Sequence, residues 1–186
     1  MPDVLILYAS THGQTAKIAT RIGGIVGASG AMPHVVDVRV GADPEVGAYD
    51  LVIAGASIHQ SHHQREMVEW ARKHAAALDQ VPSAFFSVSL TAADDTDEAL
   101  LATRGYLDDF LEDTGWTPRT TASFAGALLY REYNLPTRLL MKLIMARGHH
   151  PTDMSENVEY TDWDAVDAFA RECAGLLEPQ PAHSRR

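Results

Sequence analysis

Ser10, Thr11, His12, Gly13, Gln14 and Thr15 gather three hydroxyls, an imidazole, an amide and a glycine into one short run. The run follows an apolar stretch, Val4-Leu5-Ile6-Leu7-Tyr8, and precedes residues with helical periodicity. A strand-to-helix turn leaves backbone N–H groups unpaired at the positive end of the helix dipole, where a phosphate is the best available partner. The Ser10, Thr11 and Thr15 hydroxyls add donors, and Gly13 lets the backbone approach a ligand closely. The chemistry that suits this composition is the binding of a phosphate ester. An ordinary helix cap uses the same residue types, so the run by itself leaves both readings open. It has neither the Lys of a P-loop nor the three glycines of a dinucleotide-binding turn, which favours a monophosphate over ATP, GTP or NAD.

Three other groups of residues could do chemistry. His59, Ser61, His62 and His63 invite a metal reading, but adjacent histidines on one loop rarely complete a tetrahedral set and no cysteine is near, so no metal is expected. The single cysteine, Cys173, falls at an apolar position of the last helical stretch and reads as a packed core thiol. The stretch 130–157 is the third. If Pro136 starts a helix, Arg138 and Lys142 share a narrow polar stripe, and Leu139, Leu140, Met141, Leu143, Ile144 and Met145 make the rest apolar. Such a helix must be covered, and it is too short to cross a membrane, for which ~20 residues are needed. It either packs on its own domain or on a second copy of the chain, lines an apolar substrate site, or rests on a membrane surface. Within 131–147, Arg131, Arg138, Lys142 and Arg147 stand against Glu132 alone.

These residues need elements to position them. Helical spacing of Ile18, Ile22, Ile25 and Val26 predicts a first helix from Gln14 to the 27–30 region. Val35, Val36, Val38 and Val40 read as a short strand, and 50–56 as a buried one whose near-continuous apolar character suits a parallel sheet covered on both faces. After a loop at 57–63, Met67, Trp70, Ala71, His74 and Leu78 mark a helix face. Residues 83–88 form a further strand, and Leu100, Leu107, Phe110 and Leu111 lie on an acid-rich helix. A fifth strand is expected at 121–129. The last helix, capped by Thr161 or Asp162, buries Trp163, Val166, Phe169, Cys173 and Leu176.

Five strands alternating with helices predict a doubly wound parallel α/β sheet, because parallel neighbours need right-handed crossovers. Ligands then bind outside the carboxyl ends of the strands, which brings the loops at 10–15, 56–63 and 87–93 together. With 186 residues, 46% of them hydrophobic and 22% charged, the chain is expected to form one domain over 1–178, with the insertion at 130–157 and a flexible tail at 179–186. Its net charge of −10 argues against a nucleic-acid partner. The N-terminus lacks a signal-peptide pattern and no stretch has the apolar length of a membrane span, so cytoplasmic residence is expected.

The run from Tyr8 to Thr15 resembles the FMN-phosphate loop of the flavodoxin family, with the strand before it and the helix after it. The family's second and third flavin loops would fall at Gly55-Ala56-Ser57-Ile58-His59 and Ser87-Val88-Ser89-Leu90. Within that family the chain resembles the menaquinone-dependent protoporphyrinogen IX dehydrogenase group. Val52-Ile53-Ala54-Gly55-Ala56-Ser57-Ile58, Pro82-Ser83-Ala84-Phe85-Phe86-Ser87-Val88, Ala125-Gly126-Ala127-Leu128, and Met141-Lys142-Leu143-Ile144-Met145 followed by Tyr160-Thr161-Asp162-Trp163 carry this likeness.

The resemblance implies a flavodoxin-like five-stranded sheet of order 2-1-3-4-5 with a helical insertion after the fifth strand. It implies FMN as cofactor, held by Ser10, Thr11, His12, Gly13, Gln14, Thr15, Ala56, Ser57, Ile58, His59, Ser87, Val88, Ser89 and Leu90. The implied reaction takes hydride from a porphyrinogen-like substrate onto the flavin N5 and passes electrons to a quinone. No residue is singled out as a general acid or base. Substrate carboxylates would meet Arg131, Arg138 or Lys142, with Tyr130 and Tyr133 offering apolar faces. Residues 135–147 would make any peripheral contact with the inner face of the cell membrane, or help to form a homodimer. The other expectation is a non-catalytic electron carrier that docks a redox partner through Asp94, Asp95, Asp97, Glu98, Asp108, Asp109, Glu112 and Asp113.

Overall fold

The computed structural model describes residues 1–40, 43–128 and 158–178. Its main sheet contains β1 (Asp3–Ala9), β2 (Met32–Asp37), β3 (Leu51–His59), β4 (His62–His63), β5 (Ser83–Ser89) and β6 (Thr120–Ala125). Four parallel ladders set the order β2-β1-β3-β5-β6, and β4 is a two-residue strand folded back antiparallel on β3. Counted by its long strands, this is the expected five-stranded order. A separate antiparallel pair, β7 (Ala127–Leu128) and β8 (Val158–Glu159), stands where the chain leaves and rejoins the described fold. The helical stretch expected after the fifth strand, with Pro136, Arg138 and Lys142, lies outside the described residues, as does the tail at 179–186.

Strand periodicity explains the two-sided core. Alternation in β1 sends Val4 and Ile6 to one face, where Ile18, Ile22 and Val26 of α1 (Gln14–Ala28) meet Val166, Phe169 and Cys173 of α4 (Trp163–Gly175). It sends Leu5 and Leu7 to the other, against Met67, Trp70 and Ala71 of α2 (Arg65–Leu78) and Phe110 of α3 (Asp97–Thr114). The middle strands are covered on both sides, which is why β3 is apolar from Leu51 to Ala56 and every residue of β5 is buried. On the second face Phe85 and Phe110 stack with ring centroids 3.9 Å apart, and the Trp116 indole donates to Ser83 Oγ at 3.0 Å.

Several boundaries differ from the sequence pattern. The second strand pairs from Met32 to Asp37, and Val38–Val40 turns into a 3-10 helix once its partner β1 is nearly spent at Tyr8. Residues 57–63 are not one loop but a hairpin, turned by Gln60 and Ser61 at φ of 49° and 68°. In α3 the phase runs through Ala99, Thr103, Phe110 and Thr114, so Leu100 and Leu101 face solvent. The start of α4 is settled by chemistry. Asp162 accepts from the Asp164 and Ala165 N–H groups, whereas the Thr161 hydroxyl is used elsewhere. Cys173 is fully buried, and burial raises its thiol pKa, as a core residue requires.

Candidate functional site

The carboxyl ends of β1, β3 and β5 open on a cleft of about 390 Å³. Ser10, His12, Gln14 and Thr15 line it from the first loop, Ser57, Ile58 and His59 from the second, and Val88, Ser89 and Leu90 from the third. Three loops far apart in sequence therefore meet, as the topology of a parallel sheet dictates. Gln60, Ser61, Thr91, Tyr106, Gly126 and Ala127 also line the cleft. Gln60, Ser61 and Thr91 belong to the loops expected to converge, whereas Tyr106, Gly126 and Ala127 are brought there only by the fold.

The first loop enters α1 without a side-chain cap. Gly13 enters α1 at φ 85°, a left-handed conformation that favours glycine, and its N–H donates to Ser10 Oγ at 2.9 Å. It has no side chain to cap the helix, so the first-turn N–H groups receive no side-chain cap. Thr15 is 1% exposed, yet its hydroxyl has no hydrogen-bond partner among the described residues. A buried, unpartnered hydroxyl beside uncapped N–H groups costs stability unless a ligand completes it, and a phosphate ester fits that need.

Thr11, Gly13, Ala56 and Ser87 do not line the cleft. Thr11 accepts from Gln64 Nε2 at 3.2 Å, and the same nitrogen donates to Ser57 Oγ at 2.5 Å, so Gln64 clips the first loop to the second. Ala56 is fully buried in β3. The Ser87 hydroxyl lies 2.9 Å from His63 Nε2, well within hydrogen-bond distance.

The histidines divide by environment. The rings of His12 and His59 meet edge to face at the cleft, with centroids 5.7 Å apart. Burial lowers the His59 pKa, and His12 lowers it further. His63 turns inward to the edges of Phe85 and Phe110. There burial, with a smaller push from His62, brings its pKa down from its ordinary 6.5 to about 3. Among the described residues no group of three His, Cys, Asp or Glu side chains could hold a metal ion. Tyr130, Arg131, Tyr133, Arg138 and Lys142 lie outside the described residues.

A pH dependence follows from His63. The native chain keeps it neutral down to about pH 3, while the unfolded chain protonates it below about 6.5. The unfolded state therefore binds more protons in this window, and stability falls as pH drops through it, by up to ~1.4 kcal/mol per pH unit. Urea unfolding at pH 7, 6, 5 and 4.5 is expected to show a shallower slope for His63→Asn than for the unaltered chain. Parallel slopes would contradict the buried neutral imidazole.

Comparisons with known proteins agree with this geometry. Residues 5–155 match the flavodoxin domain family. The chain is 37% identical over 174 residues to the protoporphyrinogen IX dehydrogenase (quinone) of Escherichia coli strain K12, covering 94% of this chain and 96% of that one. It is 35% identical over 184 residues to the protein of the same name from Leishmania major, covering 97% of this chain and 79% of that one. Among solved structures, a short-chain flavodoxin associated with a bacterial microcompartment superposes with a TM-score of 0.56 at 11% identity, over 96% of this chain and 100% of that one. Oxidised flavodoxin 1 from Bacillus cereus gives 0.51 at 16%, over 91% and 95%. These last two speak for the fold alone. With its sheet order, three-loop cleft and sequence relatives in agreement, the chain belongs to the flavodoxin family, and its cofactor is a flavin.

Proposed function

We propose that the chain binds FMN in this cleft and acts as a protoporphyrinogen IX dehydrogenase with a quinone as electron acceptor. The observation that carries the cofactor is the buried, unpartnered Thr15 hydroxyl beside the uncapped start of α1. That arrangement suits FMN, whose phosphate supplies the missing acceptors, better than riboflavin. The names and identities of the Escherichia coli and Leishmania major relatives support the substrate and acceptor.

The isoalloxazine ring of bound FMN supplies the hydride acceptor and the relay of electrons to quinone. The chain's own residues do the positioning. Ser10, Thr11, His12, Gly13, Gln14 and Thr15 hold the phosphate, either directly or by shaping the loop. Ala56, Ser57, Ile58 and His59, with Ser87, Val88, Ser89 and Leu90, shape the second and third sides of the ring site. On residue type we assign substrate contact to Tyr130, Arg131, Tyr133, Arg138 and Lys142, whose cations suit carboxylates and whose rings suit a tetrapyrrole face.

Residues 1–178 act as one domain with an insertion at 130–157 and a tail at 179–186. No helix among the described residues is long and apolar enough to cross a membrane. We place the protein in the cytoplasm, with 135–147 making its contact with the inner face of the cell membrane or with a second copy. Purified protein is expected to take up FMN and, anaerobically, to oxidise protoporphyrinogen IX with a menaquinone analogue. Fully flavin-loaded protein that turns over neither compound, yet passes electrons to a protein partner in a salt-sensitive way, would make it an electron carrier instead.

A further inference from the structure

Leu128 and Val158 face each other in the β7–β8 ladder, and hydrogen bonds around that junction cross elements far apart in sequence. The Gly126 N–H donates to Ser89 O at 3.0 Å, and the Tyr160 N–H donates to Gly126 O at 3.1 Å. Thr161 Oγ1 donates to Ala125 O at 2.7 Å and accepts from Gln14 Nε2 at 2.8 Å. The single Thr161 hydroxyl proton is committed to Ala125, so the atom facing it must be the amide nitrogen of Gln14. That leaves Gln14 Oε1 buried and without a partner among the described residues. A second tether runs alongside. Lys17 Nζ reaches Glu159 Oε2 at 3.1 Å, and Trp163 Nε1 donates to Glu159 Oε1 at 2.8 Å.

We propose that Thr161 is a positioning residue which, through Gln14, couples the phosphate cradle to the cleft rim at Gly126 and Ala127. The inference rests on the FMN reading above. Gln14 is the first residue of α1, so a phosphate gripped by that turn fixes where the Gln14 amide points. The amide fixes Thr161, and Thr161 fixes the Ala125 carbonyl, one residue before the rim. Without the phosphate the turn has fewer constraints, and the rim inherits that freedom. Occupancy at one end of the cleft is thus felt at the other through a contiguous, buried set of bonds.

The test follows the Tyr160 amide and the Trp163 indole by NMR in the full chain, with and without saturating FMN. FMN is expected to slow Tyr160 amide exchange about tenfold and to shift the indole resonance, and riboflavin, which lacks the phosphate, to do neither. Thr161→Val is expected to bind FMN and lose the Tyr160 response while keeping the indole shift carried by the Lys17–Glu159 tether, and Thr161→Ser, which keeps the hydroxyl, to recover the Tyr160 response. If Thr161→Val does not fold by circular dichroism, Gln14→Met at saturating FMN makes the same comparison. FMN uptake with an unmoved Tyr160 amide, or a full response in Thr161→Val, overturns the inference alone. A chain that quenches no FMN fluorescence at any concentration overturns the FMN reading and the inference with it.

Discussion

Gly55→Ala is expected to destabilise the chain by about 3 kcal/mol, the upper end of what overpacking ordinarily costs. Gly55 pairs with Phe86 across the β3–β5 ladder, and a Cβ at Gly55 would fall on the Phe86 ring, well inside contact distance. The ring has nowhere to go. It is fully buried, with Phe124 and Phe169 packed around it at centroid distances of 5.9 Å and 6.2 Å. Because the cost arises from one pair, adding Phe86→Leu to Gly55→Ala is expected to recover part of the loss, although Phe86→Leu alone is itself destabilising. Urea unfolding of the two single variants and the double variant measures this, and strictly additive losses would contradict the clash.

Thr15→Val is expected to weaken FMN binding by about 10- to 100-fold, the worth of one hydrogen bond to a charged group at roughly 1.5–3 kcal/mol. Riboflavin affinity is expected to stay the same, since it carries no phosphate. Stability of the ligand-free chain is expected to hold or rise, because the substitution removes a buried hydroxyl with no partner among the described residues. Flavin fluorescence titrations with both ligands, alongside thermal unfolding, check the three statements together. Equal losses for FMN and riboflavin would place Thr15 away from the phosphate.

The parts of this structure legible in the sequence are those governed by period and local chemistry. The apolar runs of Val4 to Leu7 and of β3, the Phe85-Phe86 core of β5, and the hydroxyl-rich turn before α1 each declare themselves within a few residues. The sheet order then places the three loops side by side. Gln64 and Thr161 were not legible, because their roles depend on partners 53 and 147 residues away. A lone Gln or Thr looks the same in sequence whether it clips two loops or faces water. The break at Gly126 and the turn at Gln60 and Ser61 were missed for a related reason. Both follow from what the strand meets at its end, not from its composition.

The β7–β8 pair has a further consequence, in the cost of carrying extra chain. Because Leu128 and Val158 are already neighbours, whatever lies between them begins and ends at one point of the fold. The entropic cost of closing such a loop grows only logarithmically, by about 0.6 kcal/mol for each doubling of its length. Chain added at that one point therefore costs the sheet little.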